Sequence, residues 1–145
     1  SIMTAAKGFD VPFRWVGATD KERNQWGDPQ FLEPPVHHAH IEHVLREAKV
    51  LLLPLGDNPF SHRFTSPLKL WDYLATDQPI VAANTKAVMS ICREFNVEVF
   101  PYEPDNPSSI HQAIDRALNA PKRAPMRRTW AHRAGELSTI FRAVQ

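Results

Sequence analysis

The sequence predicts a single doubly wound α/β domain, a parallel sheet with helices on both faces. Short apolar runs alternate along the chain with segments of helical spacing, which is typical of repeated β-α units. The run VLLLPL at residues 50–55 is apolar throughout, as expected of a strand buried on both faces. A chain of 145 residues is long enough to form one domain with its own core.

The first half of the chain is predicted to form three strands and two helices. In order, these are a strand at 13–17, a helix at 20–26, a strand at 30–33, a helix at 40–48 and a strand at 50–55. Gly17 ends the first strand, and Pro34 stops the second. Ile41, Val44 and Leu45 have the spacing of one helical face, which indicates the second helix.

The second half continues the alternation. Its predicted elements are a helix at 67–75, a strand at 79–83, a helix at 86–95, a strand at 97–100, a helix from 105 to about 120 and a last helix at 126–144. Ser66 and Pro67 suit the N-cap and the first position of a helix. Ile110 and Ile114 lie on one face of the next-to-last helix, and a proline bounds each end of the break at 121–125.

Composition excludes several classes of protein. With 43% hydrophobic and 23% charged residues the chain is ordinary for a globular protein, and a net charge of +1 gives no electrostatic case for binding nucleic acid. The basic residues near the end are interpreted as a solvated helix start; they are Lys122, Arg123, Arg127 and Arg128. The lone Cys92 excludes a disulfide framework, indicates a reducing compartment and is predicted to lie in the core.

Two further features concern the chain's context. The longest apolar run is too short to span a bilayer, and no signal-peptide pattern opens the sequence. The opening residues resemble the tail of a helix, so we expect residues 1–145 to be a single domain within a longer protein.

The segment from Ser66 to Asp72 is the best candidate for a ligand site. The first turn of a helix has unpaired N–H groups and partial positive charge, which together favour a phosphate. Asp72 lies six residues after Ser66, about 9 Å along the helix axis, where its carboxylate can accept hydrogen bonds from ribose hydroxyls. Lys69, on the same side, can reach a phosphate. The competing interpretation is an ordinary helix start with a Lys69–Asp72 surface ion pair.

A histidine-rich tract, HHAHIEH at residues 37–43, raises the alternative of a metal site. His40 and His43 share a helical face, and neutral imidazoles suit zinc. The spacing matches no known metal motif, so a solvated helix start or a contact with a base is favoured. Gly17 lacks the glycine pattern of a dinucleotide fingerprint.

One stretch of the chain consists of VLLLPL, a polar loop and then SPLKLWDYLATDQPIVAAN. It resembles the C-terminal, donor-nucleotide-binding domain of retaining glycosyltransferases with the GT-B fold. More narrowly, it resembles the family-four group, which includes sucrose synthases and many bacterial capsule and lipid-glycan transferases. The resemblance covers residues 13–118, and TWAHRA at 129–134 is similar to the helix that closes such domains. It implies a Rossmann-like half of a GT-B fold that transfers a sugar from a nucleoside diphosphate to an acceptor hydroxyl, with no metal or other cofactor.

The resemblance also implies roles for individual residues. The diphosphate would be held at Thr65 and Ser66, with Arg63 and Lys69 as the available cations. The ribose would be bound by Asp72, where the family more often has glutamate. The base would contact Glu33, Pro34, Pro35 and Val36, and the donor sugar would lie near Gly17, Asp57 and Asn58. Phe64 stands where the family often has an acid that contacts the sugar.

The resemblance places the catalytic residues and the acceptor in an N-terminal domain, outside this chain. The first strand of the donor domain would precede Ser1, and the helix at 126–145 is expected either to pack on the core of this domain or to dock on the N-terminal domain. We therefore expect this chain to bind a nucleotide sugar weakly and not to turn over alone. Its expected location is the cytoplasm, with contact at the inner membrane face only through the other domain. Two alternatives are a non-catalytic nucleotide- or sugar-binding scaffold and another nucleotide-sugar enzyme, such as an epimerase.

Overall fold

The regular structure alternates strands and helices along the chain. The computed structural model describes residues 5, 9, 11–26, 30–56, 58–59, 68–127, 131, 134–135 and 138. The strands are β1 (Trp15–Val16), β2 (Leu32–Glu33), β3 (Leu51–Leu53), β4 (Ile80–Ala83) and β5 (Phe100–Tyr102). The helices are α1 (Asp20–Trp26), α2 (Ile41–Glu47), α3 (Leu68–Leu74), α4 (Lys86–Glu94) and α5 (Pro107–Leu118), and a 3₁₀ turn at His38–His40 leads into α2.

All the strand pairs in the described residues are parallel, and they form two small sheets. One sheet pairs β1 with β2, with Trp15 opposite Leu32. The other has the order β3-β4-β5, with Leu51 opposite Ile80 and Val81 opposite Phe100. The protein is therefore an α/β structure with parallel sheets, as the alternation of strands and helices predicts.

The larger sheet has a separate hydrophobic cluster on each face. Successive side chains of β4 alternate between the two clusters, as the pleat of a strand requires. Val81 and Ala83 lie in the cluster with α5, where Ala5 is also buried. The opposite cluster is formed by α3 and α4 together with the alternate strand residues, and Leu45 of α2 packs against it. The four residues of β4 are fully buried, so this strand is the centre of the fold.

Several predicted boundaries differ from the observed ones, and two of the differences concern the last strand and the last helix. The last strand begins at Phe100, not at residue 97, and it includes Pro101. Proline lacks an N–H donor, but in the described structure β5 is an edge strand, where that donor is not needed. The last helix does not begin at Met126, because residues 121–127 have no regular structure. The Met126 amide donates instead to the carbonyl of Leu74, 2.6 Å away in α3.

The ends of several elements have clear causes in the sequence. The Thr19 hydroxyl and amide donate to the Glu22 carboxylate at 2.7 and 2.8 Å, which forms a capping box at the start of α1. Thr85 caps α4 by accepting from the Val88 amide at 3.4 Å. Gly17 ends β1 with φ +95°, a conformation that side-chain-bearing residues rarely adopt.

Candidate functional site

Helix α3 is packed against the sheet by one apolar face. Leu70 and Leu74 are fully buried, at the four-residue spacing of a single helical face. The helix follows the connection that leaves the carboxyl end of β3, so its first residues lie toward the edge where parallel sheets bind ligands. The described helix begins at Leu68. The predicted phosphate-binding residues before it, Arg63, Thr65 and Ser66, lie outside the described residues, as do Phe64 and Pro67.

The other face of α3 presents Lys69 and Asp72 to solvent. Both are exposed, and they lie three residues apart. In the described part of the chain no ion pair joins them, so the Lys69–Asp72 pair of the competing interpretation does not form. The Asp72 charge does act on its neighbour: burial and the Asp72 carboxylate both raise the pKa of Tyr73.

Two aromatic side chains hold α3 in place. The Tyr73 hydroxyl donates to the carbonyl of Leu52 in β3 at 3.2 Å. The Trp71 ring meets Phe95 edge to face, with the centroids 5.2 Å apart. Asp72 lies between these two anchored residues in the sequence, so the backbone that carries it is fixed on both sides.

The segment after α5 also holds α3, through Arg123. Its guanidinium donates to the carbonyls of Tyr73 at 2.5 Å, Thr76 at 2.8 Å and Gln78 at 3.2 Å. Burial lowers the pKa of this guanidinium, and the nearby Asp77 charge opposes that effect. The interpretation of these basic residues as a solvated helix start is therefore wrong for Arg123.

The other basic residues of this segment form ion pairs. Lys122 is paired with Asp77 at 2.9 Å, and Arg127 with Glu42 at 2.6 Å. Arg46 of α2 contacts both acids, at 2.9 Å from Glu42 and 3.6 Å from Asp77. These acids have lowered pKa values, chiefly because of hydrogen bonds from Lys122 to Asp77 and from Arg46 to Glu42. This network joins α2, the turn after α3 and the segment after α5.

The predicted base-contacting residues follow β2. The Glu33 carboxylate is bound by Arg14 through two hydrogen bonds of 2.6 and 2.9 Å, which lower the pKa of Glu33. The same guanidinium reaches Glu47 at the end of α2, 3.0 Å away. Of the other three, Pro34 and Pro35 are exposed and Val36 is half-buried. Because the Glu33 carboxylate is already bound to Arg14, the residues of this loop that remain available to contact a nucleotide base are Pro34, Pro35 and Val36.

The predicted donor-sugar residues lie after β1 and β3. Gly17 is in the turn that follows β1, and its amide and that of Ala18 both donate to the Glu33 carbonyl at 3.0 Å. Asn58 is exposed after β3, and its amide nitrogen Nδ2 lies 3.5 Å from the Gly56 carbonyl. Asp57 lies outside the described residues.

The predicted site residues did not include a group of polar side chains at the carboxyl ends of β4 and β5. Asn84 donates from Nδ2 to the Glu103 carboxylate at 2.9 Å, and the Glu103 amide donates to the Ser109 hydroxyl at 2.9 Å. The buried Tyr102 hydroxyl donates to the Leu53 carbonyl at 3.3 Å, which ties β5 to the end of β3. The signal in the sequence for this group was a polar residue directly after each of two strands, Asn84 after β4 and Glu103 after β5.

The histidine tract does not form a metal centre in the described residues. No group of three or more histidine, cysteine, aspartate or glutamate side chains is arranged there to hold an ion. The rings of His37 and His40 meet edge to face at 6.2 Å, and His43 contacts Glu47 at 3.2 Å within the same helix. Cys92 is buried, as predicted, and burial raises the pKa of its thiol, so it is unsuited to act as a thiolate.

An open groove runs along α4 and β5. Its lining includes Met89, Cys92, Arg93, Asn96 and Val99. None of the predicted site residues contributes to it. The candidate site therefore remains the exposed face of α3 and the loops after β1, β2 and β3.

The sequence was compared with protein-family models, with curated proteins and with solved structures, and none of the three gave a significant match. Within the described residues, no helix has both the length and the apolar character needed to cross a membrane. The function proposed below therefore rests on the motif residues and their positions in the fold.

Proposed function

We propose that this chain is the donor-binding domain of a glycosyltransferase, which holds the nucleoside diphosphate part of an activated sugar. The observation that carries the proposal is the exposed pair Lys69 and Asp72 on a helix that is anchored at several points. Asp72 accepts hydrogen bonds from the ribose hydroxyls, and Lys69 neutralises part of the diphosphate charge. Lys69 lies nearer the carboxyl edge of the sheet, which matches the order of phosphate and ribose in a nucleotide.

We also propose that the two sheets are parts of one doubly wound sheet. The connections from β3 to β4 and from β4 to β5 run over the face that α3 and α4 cover. Because parallel crossovers are right-handed, a connection over the opposite face runs in the opposite direction along the sheet. Ala5 and Phe9 pack on that opposite face and lead into β1, which supports the order β2, β1, then β3-β4-β5.

This arrangement has a consequence for ligand binding. In doubly wound sheets the ligand lies at the carboxyl ends of the strands, where the direction of winding reverses. The reversal would fall between β1 and β3, and the loops after these strands contain Gly17 and Asn58, two predicted donor-sugar residues. The base would then lie against Pro34 to Val36, after β2.

The proposal predicts that Asp72→Asn weakens nucleotide binding without unfolding the protein. The substitution keeps the shape of the side chain but removes the charge, and hydrogen bonds to charged groups contribute about 1.5–3 kcal/mol each. The dissociation constant for the best of UDP, GDP, ADP and dTDP should therefore rise by about tenfold or more, measured by isothermal titration calorimetry. Asp72 is exposed, so the free energy of unfolding should change by less than about 0.5 kcal/mol.

The matched control is Asp115→Asn. Asp115 is also an exposed aspartate within a helix, but α5 packs on the opposite face of the sheet. Its substitution removes the same charge from the protein and should leave the dissociation constant unchanged. Equal affinities for wild-type protein and the Asp72 variant would remove this residue from the site. If both variants weaken binding equally, the effect is one of net charge.

A further inference from the structure

We propose that Arg123 is a positioning residue for the candidate site. By binding the carbonyl groups at the end of α3, it holds Asp72 where a ribose can reach its carboxylate. The inference rests on the proposed function, because the ligand that Asp72 binds is taken to be a nucleotide. Its structural part concerns α3 alone and can be tested without a nucleotide.

The contacts of Arg123 fall on carbonyl groups at the end of α3 and in the turn beyond it. The last carbonyls of a helix have no N–H donor within the helix, and a nearby arginine can provide one. Here a single guanidinium donates to Tyr73, the next-to-last residue of α3, and to Thr76 and Gln78 in the turn that follows. The Tyr73 carbonyl also accepts from the Thr76 amide at 3.0 Å and the Thr76 hydroxyl at 2.8 Å, so Arg123 adds a distant donor to a local turn. Thr76 and Gln78 are buried, so water does not readily replace Arg123 at these carbonyls.

Backbone contacts extend the same junction. The Arg123 amide donates to the Asp77 carbonyl at 3.0 Å, and the Met126 amide donates to the Leu74 carbonyl at 2.6 Å. The segment from Arg123 to Met126 therefore follows the last turn of α3 and the turn beyond it. Since about fifty residues separate the partners in sequence, this is a tertiary clamp and not a local cap.

The contacts of Arg123 act directly on the turn of α3 that carries Asp72. It precedes Tyr73, so it lies in the turn that Arg123 closes. The described part of α3, Leu68–Leu74, has seven residues, about two turns, and a helical segment of this length does not hold its shape without tertiary contacts. Loss of the clamp should therefore loosen the turn that carries Asp72. The first described turn, which carries Lys69, should change less because the buried side chain of Leu70 anchors it to the core.

The test compares Arg123→Ala, Arg123→Lys and, as a control, Lys122→Ala. Lysine offers a single ammonium in place of the planar fork, so it cannot reach all three carbonyls and should restore only part of the effect. Lys122 is the neighbouring cation and binds only the half-buried side chain of Asp77 in the described structure, so its removal controls for lost charge. All proteins are studied well below their melting temperatures.

The first readout is hydrogen–deuterium exchange of the amides from Asp72 to Gln78. Exchange there should accelerate strongly in Arg123→Ala, partly in Arg123→Lys and hardly at all in Lys122→Ala, relative to the amides of α5. Unchanged exchange in Arg123→Ala would overturn the clamp. This readout stands even if the wild-type protein binds none of the nucleotides, an outcome that would count against the proposed function alone.

The second readout is a double-mutant cycle with UDP, GDP, ADP and dTDP as probes. Arg123→Ala should weaken binding about fivefold or more in the wild-type background and much less in the Asp72→Asn background, because the contact it positions is already lost there. Arg123→Lys should recover part of the affinity. If Arg123→Ala weakens binding by the same factor in both backgrounds, Arg123 does not act through Asp72 and the positioning role is wrong.

Discussion

Leu70→Ala should destabilise the protein by about 2–5 kcal/mol, which is the usual range for removing a fully buried leucine side chain. Leu70 has no exposed surface, and it packs in the cluster between α3, α4 and the sheet. Its loss leaves a cavity in contact with β3 and β4, which the central strand has little freedom to fill. Urea denaturation followed by circular dichroism measures the change as a lower midpoint with an unchanged slope.

Leu68→Ala in the same helix is the matched control. Leu68 is 70% exposed, so its truncation should change the free energy of unfolding by less than about 0.5 kcal/mol. The two variants remove the same atoms from positions two residues apart, and only burial distinguishes them. Equal losses of stability would show that α3 does not pack through Leu70 as described here.

Val81→Asp should prevent folding at neutral pH. Val81 is fully buried in the central strand, and an unpaired carboxylate there incurs a desolvation cost of several kcal/mol. The whole domain is expected to have a stability of about 5–15 kcal/mol, so this one charge removes most of it. Circular dichroism and the amide dispersion of an NMR spectrum would show an unfolded chain.

Comparison with Val81→Asn separates the charge from the change in shape. A buried aspartate has a folded-state pKa above its unfolded value, so its extra cost is present at high pH and falls as the group becomes protonated. The two variants should therefore differ strongly at pH 7 and converge below about pH 4, where the aspartate is neutral even in the unfolded chain. Identical stabilities at pH 7 would mean that water reaches this position.

The elements with strong local patterns were predictable from the sequence. The apolar runs around Leu51–Leu53 and Ile80–Ala83 are strands, as predicted. The four-residue spacing of Leu70 and Leu74, which was not used to predict the helix, gives the buried face of α3. The exposure of Lys69 and Asp72 follows from the same spacing. These features depend on neighbours within a few residues, and the sequence displays such neighbours directly.

Features that depend on distant partners were not predictable. Arg14 binds a carboxylate nineteen residues away, and Arg123 binds a carbonyl fifty residues away. From the sequence alone, neither arginine can be distinguished from the other basic residues of the chain. The late start of β5 has a similar cause, because its register against β4 sets the strand at Phe100. The Thr19–Glu22 capping box, in contrast, was visible as a threonine followed three residues later by a glutamate.

The proposed donor site is tested most directly by an NMR titration of this chain with UDP, GDP, ADP and dTDP, each with and without Mg²⁺. One nucleotide should shift the amides of α3 from Leu68 to Asp72 together with those of Glu33 and Val36, whether or not Mg²⁺ is present. Amides of α5, on the opposite face, should not move. Absence of shifts at millimolar nucleotide, or shifts confined to the groove along α4, would contradict the assignment of this chain as a nucleotide-binding donor domain.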